Sequence, residues 1–207
     1  MSSAARTMGS LPIRLVGCGI LQKEVVYLIR KNGWNLDPRF LDSSLHNHLA
    51  RLSTSLNQAL DQEGETGRDT IVFYGCCHPK MEGILESHRT LRTHGQNCIV
   101  MLLGYDRFMA ELEEGSYFLL EEWALCWRPM FAEVFGDKRS VVREIFHASH
   151  KAIAAIRTPC SGDFSREAEE LADYLGLPLR WMDLSLDHLE EVLSDALERK
   201  SLRGSES

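Results

Sequence analysis

The sequence predicts an α/β protein: an open, mostly parallel sheet with helices on both faces. Strand-length apolar runs alternate with longer segments of helical periodicity along almost the whole chain. Strands joined through intervening helices pair in parallel and are covered on both faces. A further consequence concerns function, because ligands of such sheets lie beyond the carboxyl ends of the strands.

IRLVGC, Ile13 to Cys18, is a short apolar run suited to a buried strand. LQKEVVYLIRKNG follows as a helix, with Leu21, Val25, Leu28 and Ile29 at helical spacing and Gly33 as a stop. WNLDPRFL is a weaker strand, interrupted by Pro38. Residues 47–63 predict a helix with Leu49, Leu52, Leu56 and Leu60 on one stripe. TIVFYG, Thr70 to Gly75, is the clearest strand signal, rich in β-branched and aromatic residues. A short helix over residues 80–86 leads to HRTLRT, a polar strand. NCIVMLLGYDRFMAELEE predicts one long helix capped by Asn97. SYFLLE is a strand, and EEWALCWRPMFAEVF a helix that has to bend or restart at Pro129. Residues 138–150 form a further helix, KAIAAIRTP a strand, and DFSREAEELADYLG a helix capped by Asp163 or Ser165. LPLRWMDL is the last strand and SLDHLEEVLSDALERK the last amphipathic helix. Residues 13–199 are expected to form a single domain, with flexible tails at residues 1–12 and 200–207.

The net charge of -7, from 30 acidic against 23 basic residues, argues against nucleic acid or an anionic membrane as main partner. No apolar run approaches the roughly 20 residues that span a bilayer. MSSAARTMGSLP lacks the apolar core of a secretory signal. A cytoplasmic location is therefore expected, with the thiols kept reduced. Six cysteines in such a compartment read as metal ligands, reactive thiols or small buried residues rather than as disulfides.

Five of the six fall at one rim. Cys18 ends the first strand, Cys76 and Cys77 follow TIVFY, Cys98 opens the long helix, and Cys160 lies just beyond KAIAAIRTP. Cys126 reads as helix interior. Any one cysteine is often merely a small core residue, but core cysteines would be scattered along strands rather than gathered at their ends. A thiolate ligates metals and attacks electrophiles, and a helix N-terminus lowers its pKa, which is the placement of Cys98. Adjacent strand residues face opposite ways, so one of Cys76 and Cys77 is expected at the rim and the other in the core. His78 and His94 are further candidate ligands, and His46 and His48 read more simply as part of a loop and helix start.

GCGIL, SLHN at Ser44 to Asn47, YGCC, NCIVMLLG and YFLLEEW occur in the order seen in an uncharacterised bacterial and archaeal family, the domain of unknown function numbered 1638. The chain resembles that family over roughly Leu15 to Trp123. The resemblance picks out Cys18, Cys77 and Cys98, with Tyr74 and Gly75 ahead of the second. His78 and Pro79 stand where a glycine-containing turn is expected, a departure that leaves the three cysteines intact. The resemblance also implies a link to corrinoid-dependent methyltransferases and one-carbon metabolism.

Three thiolates with an open fourth position suit zinc or an iron–sulfur cluster. Zinc has the edge for alkyl transfer to a thiol, being redox-inert and keeping a thiolate nucleophilic. The expected function is thus metal binding through Cys18, Cys77 and Cys98, with Gly75 letting a metal or bulky partner approach the backbone. Expected partners are a small molecule or a corrinoid methyltransferase system, and a homo-oligomer fits as well. An accessory or sensor protein that binds a small cofactor or a partner methyltransferase is the alternative, and a redox couple of Cys77 with Cys18 or Cys98 a third. Gly17 and Gly19 after the first strand, with Asp37 about twenty residues on, resemble part of a dinucleotide fingerprint whose third glycine is replaced by Gln22. With Tyr74 and Gly75 they are the candidate cofactor-binding positions. No P-loop, G-x-S-x-G elbow or H-E-x-x-H motif is present, and no residue is singled out as catalytic.

Overall fold

The computed structural model describes residues 11–66, 69–136 and 138–204. The parallel α/β class is as the sequence predicts, with the strands divided between two sheets. β1 (Ile13–Cys18), β2 (Leu36–Leu41), β3 (Thr70–Phe73) and β4 (Leu91–Arg92) form one sheet in the order β2-β1-β3-β4. β5 (Ser116–Leu119), β6 (Ala152–Arg157) and β7 (Leu179–Asp183) form the other in the order β5-β6-β7. All these pairings are parallel.

Helices α1 (Gln22–Asn32), α2 (Leu49–Thr66) and α3 (Met81–Ser87) connect strands of the first sheet. α4 (Cys98–Leu103) and α5 (Tyr105–Glu113) lead to the second, where α6 (Glu121–Phe135), α7 (Arg139–Ser149) and α8 (Ser165–Leu175) make the crossovers before the final α9 (Asp187–Gly204). Alternation along the strands sorts the core into layers. Leu15 and Phe73 join Phe118, Ala154, Ile156 and Met182 of the second sheet in a central cluster, filled by α1, α4 and α9. Val16 and Val72 face the other way, onto α2 and α3. Ile153 and Ala155 do the same onto α6, α7 and α8. Fully buried aliphatic side chains such as Leu15 and Leu189 each contribute about 1.5–3 kcal/mol, so the shared central layer ties the two sheets into one body.

Several elements differ from their sequence-based outlines. β2 runs straight through Pro38, which lies opposite Leu15. β2 is an edge strand, so the missing N–H faces away from the ladder. The long helix expected from Asn97 is two helices, broken at Gly104 with φ 80° and ψ 159°. The break in α6 falls at Cys126 (φ -117°, ψ 16°), three residues before Pro129. That offset is physical: a proline ring collides with the carbonyl four residues back, and the intervening backbone absorbs the conflict. α9 continues to Gly204, into the segment expected to be a tail. The expected N-terminal tail lies outside the described residues except for Leu11 and Pro12. Among the described residues, no helix is long and apolar enough to cross a membrane.

Candidate functional site

The carboxyl ends of β1, β2 and β3 open on a cavity of about 440 Å³ that runs alongside β5. Each candidate thiol reaches it from a different element. Cys18 is the last residue of β1, Cys77 lies in the loop after β3, and Cys98 is the first residue of α4. All three are partly buried and line the cavity. The apolar wall comes from Phe73, Phe108, Phe118 and Met101, and the polar groups from His46, Tyr74, Asn97, Trp123 and His150.

Local packing explains why Cys77 and Cys98 come to line one cavity. Asn97 caps α4, its Oδ1 accepting from the Val100 N–H at 2.9 Å. The backbone just before α4 is pressed against the loop after β3, where the Cys76 N–H donates to the Gln96 carbonyl at 2.7 Å. Gly75 makes that approach possible, since a Cβ there would lie 2.3 Å from the Gln96 oxygen and 2.6 Å from Asn97 Cα. The space expected for a bulky partner or metal at Gly75 is thus filled by the chain itself. Gly17 and Gly19 are tight for similar reasons. A Cβ at Gly17 would meet Phe73 at 2.9 Å, and one at Gly19 the Leu41 carbonyl at 3.0 Å. Neither glycine lines the cavity, whereas Tyr74 and Gly75 do.

Burial dominates the electrostatics. It pushes the Cys18 thiol up to about 12, and negative charge on Cys77, Glu122 or Asp42 would raise it further. Burial also raises Cys98, with thiolates at Cys18 and Cys77 adding to the effect. Cys77 moves up for the same first reason, opposed by the Gly75 backbone and by Arg92. The lowered pKa expected for Cys98 at a helix start is therefore reversed. α4 has only six residues, and desolvation of a buried thiolate outweighs what its short dipole offers. All three are neutral thiols at pH 7 in the protein alone.

Two buried donors beside them have no acceptor among the described residues: the Tyr74 hydroxyl and the Trp123 indole N–H. Tyr74 is within electrostatic reach of Cys18 and Cys77, and burial raises its pKa. Among the described residues, no three His, Cys, Asp or Glu side chains stand at metal-ligand spacing. The thiols share a cavity without being drawn together.

The remaining candidates go elsewhere. Cys76 is exposed, with Arg92 Nη2 3.4 Å from its sulfur, so it is not the core partner of Cys77. The strand has ended at Phe73, and the alternation expected for these neighbours does not apply in a loop. Cys160 is partly buried, its N–H donating to Thr158 Oγ1 at 3.1 Å, and Cys126 is exposed; neither lines the cavity. His78 Nδ1 accepts from the Lys80 N–H at 3.0 Å, and exposed His94 lies 3.5 Å from Asp195. Sequence reasoning passed over His46 and Trp123, whose rings are 6.0 Å apart at the cavity wall. The available signal was the pairing of β2 with β1: the turn after β2 must emerge beside Cys18.

Residues 40–193 match a family model described as "Protein of unknown function (DUF1638)". The chain belongs to that family. The DUF1638 match takes in His46, Cys77, Cys98 and Trp123 and continues through the second sheet. It begins after Cys18, so the case for that residue rests on its place in the cavity. No curated protein and no solved structure matches the chain.

Proposed function

We propose that this DUF1638 protein binds a thiophilic metal, as one zinc ion or an iron–sulfur cluster, through Cys18, Cys77 and Cys98, with the adjoining cavity receiving a small molecule. The supporting observation is that three thiols, from three separate elements, line one largely apolar cavity. The donor set fits a soft cation, since each thiolate would otherwise be held back by burial and by its neighbours. The orphaned Tyr74 hydroxyl, buried within electrostatic reach of Cys18 and Cys77, adds an unpaired polar group to the same cavity. Cys18 ends β1 and Cys77 lies in the loop after β3; on this reading the metal would draw together thiols that are not at ligand spacing beforehand. A bound zinc would keep a sulfur nucleophilic for alkyl transfer. The metabolic setting we propose, methyl transfer in corrinoid-linked one-carbon chemistry, rests on the family resemblance.

The test is anaerobic purification followed by elemental analysis of the wild type and of Cys18→Ser, Cys77→Ser and Cys98→Ser. We expect a stoichiometric metal in the wild type and its loss in each variant, because serine lacks the soft thiolate. Metal-free wild type that takes up neither zinc nor iron on anaerobic reconstitution would overturn the proposal.

A second reading has its own support. The cavity is within the size range of small-molecule sites, and its donors are not preassembled for a metal. On that reading the protein is a non-catalytic sensor or accessory that holds a small cofactor. Tight binding of such a molecule to fully demetallated protein, unchanged by the serine substitutions, would favour it over the metal centre.

A further inference from the structure

The cavity of about 440 Å³ takes its walls from both sheets and their helices. Phe73 comes from β3, Tyr117 and Phe118 from β5, Phe108 from α5 and Trp123 from α6. The Phe108 and Phe118 rings stack with centroids 5.5 Å apart and planes 19° from parallel. Such walls offer broad, flat apolar area. The polar part of the lining offers no ion partner. Among the described lining residues there is no Arg, Lys, Asp or Glu; the polar groups are thiols, phenols, imidazoles, an amide, an indole and a hydroxyl. Burial holds His150 below the usual histidine range, so that imidazole is uncharged at pH 7. Arg92 and Glu122 act on Cys77 and Cys18 from outside the lining. Both are engaged elsewhere, Arg92 Nε lying 2.8 Å from Glu82 and Glu122 accepting from the Ser43 hydroxyl.

An ion brought into this space would lose its hydration without gaining an opposite charge. A neutral molecule meets no such penalty and gains the aromatic contact area. Tyr74 supplies a second and independent observation. It is 3% exposed, it lines the cavity, and its hydroxyl has no partner among the described residues. Buried polar groups are ordinarily paired, and an acceptor on a bound molecule is the kind of partner the lining leaves out. We propose that the cavity binds an uncharged, largely apolar molecule, about the size of a bicyclic aromatic, that carries a hydrogen-bond acceptor. The inference rests on the reading that the cavity receives a small molecule, and it narrows that molecule's chemistry by ruling out anionic and cationic ligands.

The test is calorimetric titration of the full chain, purified under reducing conditions, with three naphthalenes of nearly equal shape. 2-Acetylnaphthalene is uncharged, 2-naphthoate is an anion at pH 7, and 2-naphthylmethylammonium is a cation. The ketone should bind about 10-fold or more tightly than either ion. Leu112 lines the cavity and is 43% exposed, so Leu112→Trp narrows the space without displacing the core and should weaken the ketone by at least about 10-fold. Leu49→Trp, at an exposed position outside the lining, should leave the affinity unchanged, and thermal unfolding confirms that both variants fold. If either ion binds as tightly as the ketone and is displaced by Leu112→Trp, the inference is overturned while the small-molecule reading stands. If none of the three binds, or if Leu112→Trp leaves their binding unchanged, both fall together.

Discussion

Gly75→Ala tests how the site is assembled. The added Cβ would lie 2.3 Å from the Gln96 oxygen, 2.6 Å from Gln96 C and 2.6 Å from Asn97 Cα. All three atoms are backbone, so no side chain can rotate away. The loop carrying Cys77 has to withdraw from the start of α4, and the 2.7 Å bond from the Cys76 N–H to Gln96 is stretched or lost. Forced overpacking of this kind costs about 1–3 kcal/mol. The lost hydrogen bond adds about 0.5–1.5 kcal/mol. We therefore predict a destabilisation of roughly 2–4 kcal/mol, seen as a drop in Tm of roughly 5–15 °C for a chain of this size. Urea denaturation of the variant beside Gly83→Ala gives an internal control. Gly83 is an exposed position in α3 with nothing within 4 Å of an added Cβ, so the same substitution there should be neutral or stabilising by up to about 1 kcal/mol. Equal midpoints for the two variants would refute the close approach at Gly75, and with it the explanation of how the loop carrying Cys77 is held against the start of α4.

Cys76→Ser should change stability by less than about 0.5 kcal/mol and leave metal content intact, because the side chain is exposed; Cys77→Ser should lose the metal, and thermal unfolding with elemental analysis checks both. Glu24 is buried and accepts from Thr158 Oγ1 at 2.7 Å, and burial raises its pKa. A raised folded-state pKa means that Glu24 supports the fold fully below the unfolded carboxylate pKa and loses that support as pH rises through the folded value. Wild type should therefore lose stability relative to Glu24→Gln as the pH is raised from the acidic range to neutrality, as read by urea midpoints across pH. Thr158→Val removes the donor to this buried carboxyl and should cost about 1–3 kcal/mol at neutral pH, measured in the same way.

Much of the fold was legible because its signals are local. The apolar runs of β1, β3 and β6 and the Asn97 cap each follow from a few neighbouring residues. Gly104 was harder, since a single glycine inside an apolar periodic stretch is equally consistent with a helix interior; only its positive φ separates α4 from α5. The division into two sheets was not legible. It depends on where α4 and α5 dock after the two-residue β4, a matter of distant packing rather than of periodicity. The site divides along the same line. Cys18, Cys77 and Cys98 could be placed from strand ends alone. The exposure of Cys76, the backbone contact at Gly75 and the cavity wall from α5 and β5 are all non-local, and nothing in residue spacing joins them. The effect of the α4 N-terminus was misjudged because burial of Cys98, which decides the outcome, cannot be read from its neighbours in sequence.

The proton count on metal binding is the most direct measure of the thiolate centre. In the protein alone burial keeps Cys18, Cys77 and Cys98 protonated at pH 7, and a metal can bind only the deprotonated sulfurs. Calorimetric titration of anaerobic, demetallated protein with zinc, repeated in buffers of different ionisation enthalpy, gives the number of protons released per ion. We predict about three for wild type and about two for any variant with one of these cysteines replaced that still binds. Zinc binding with no proton release, or a release unchanged by loss of any of the three cysteines, would contradict a centre built on these thiols.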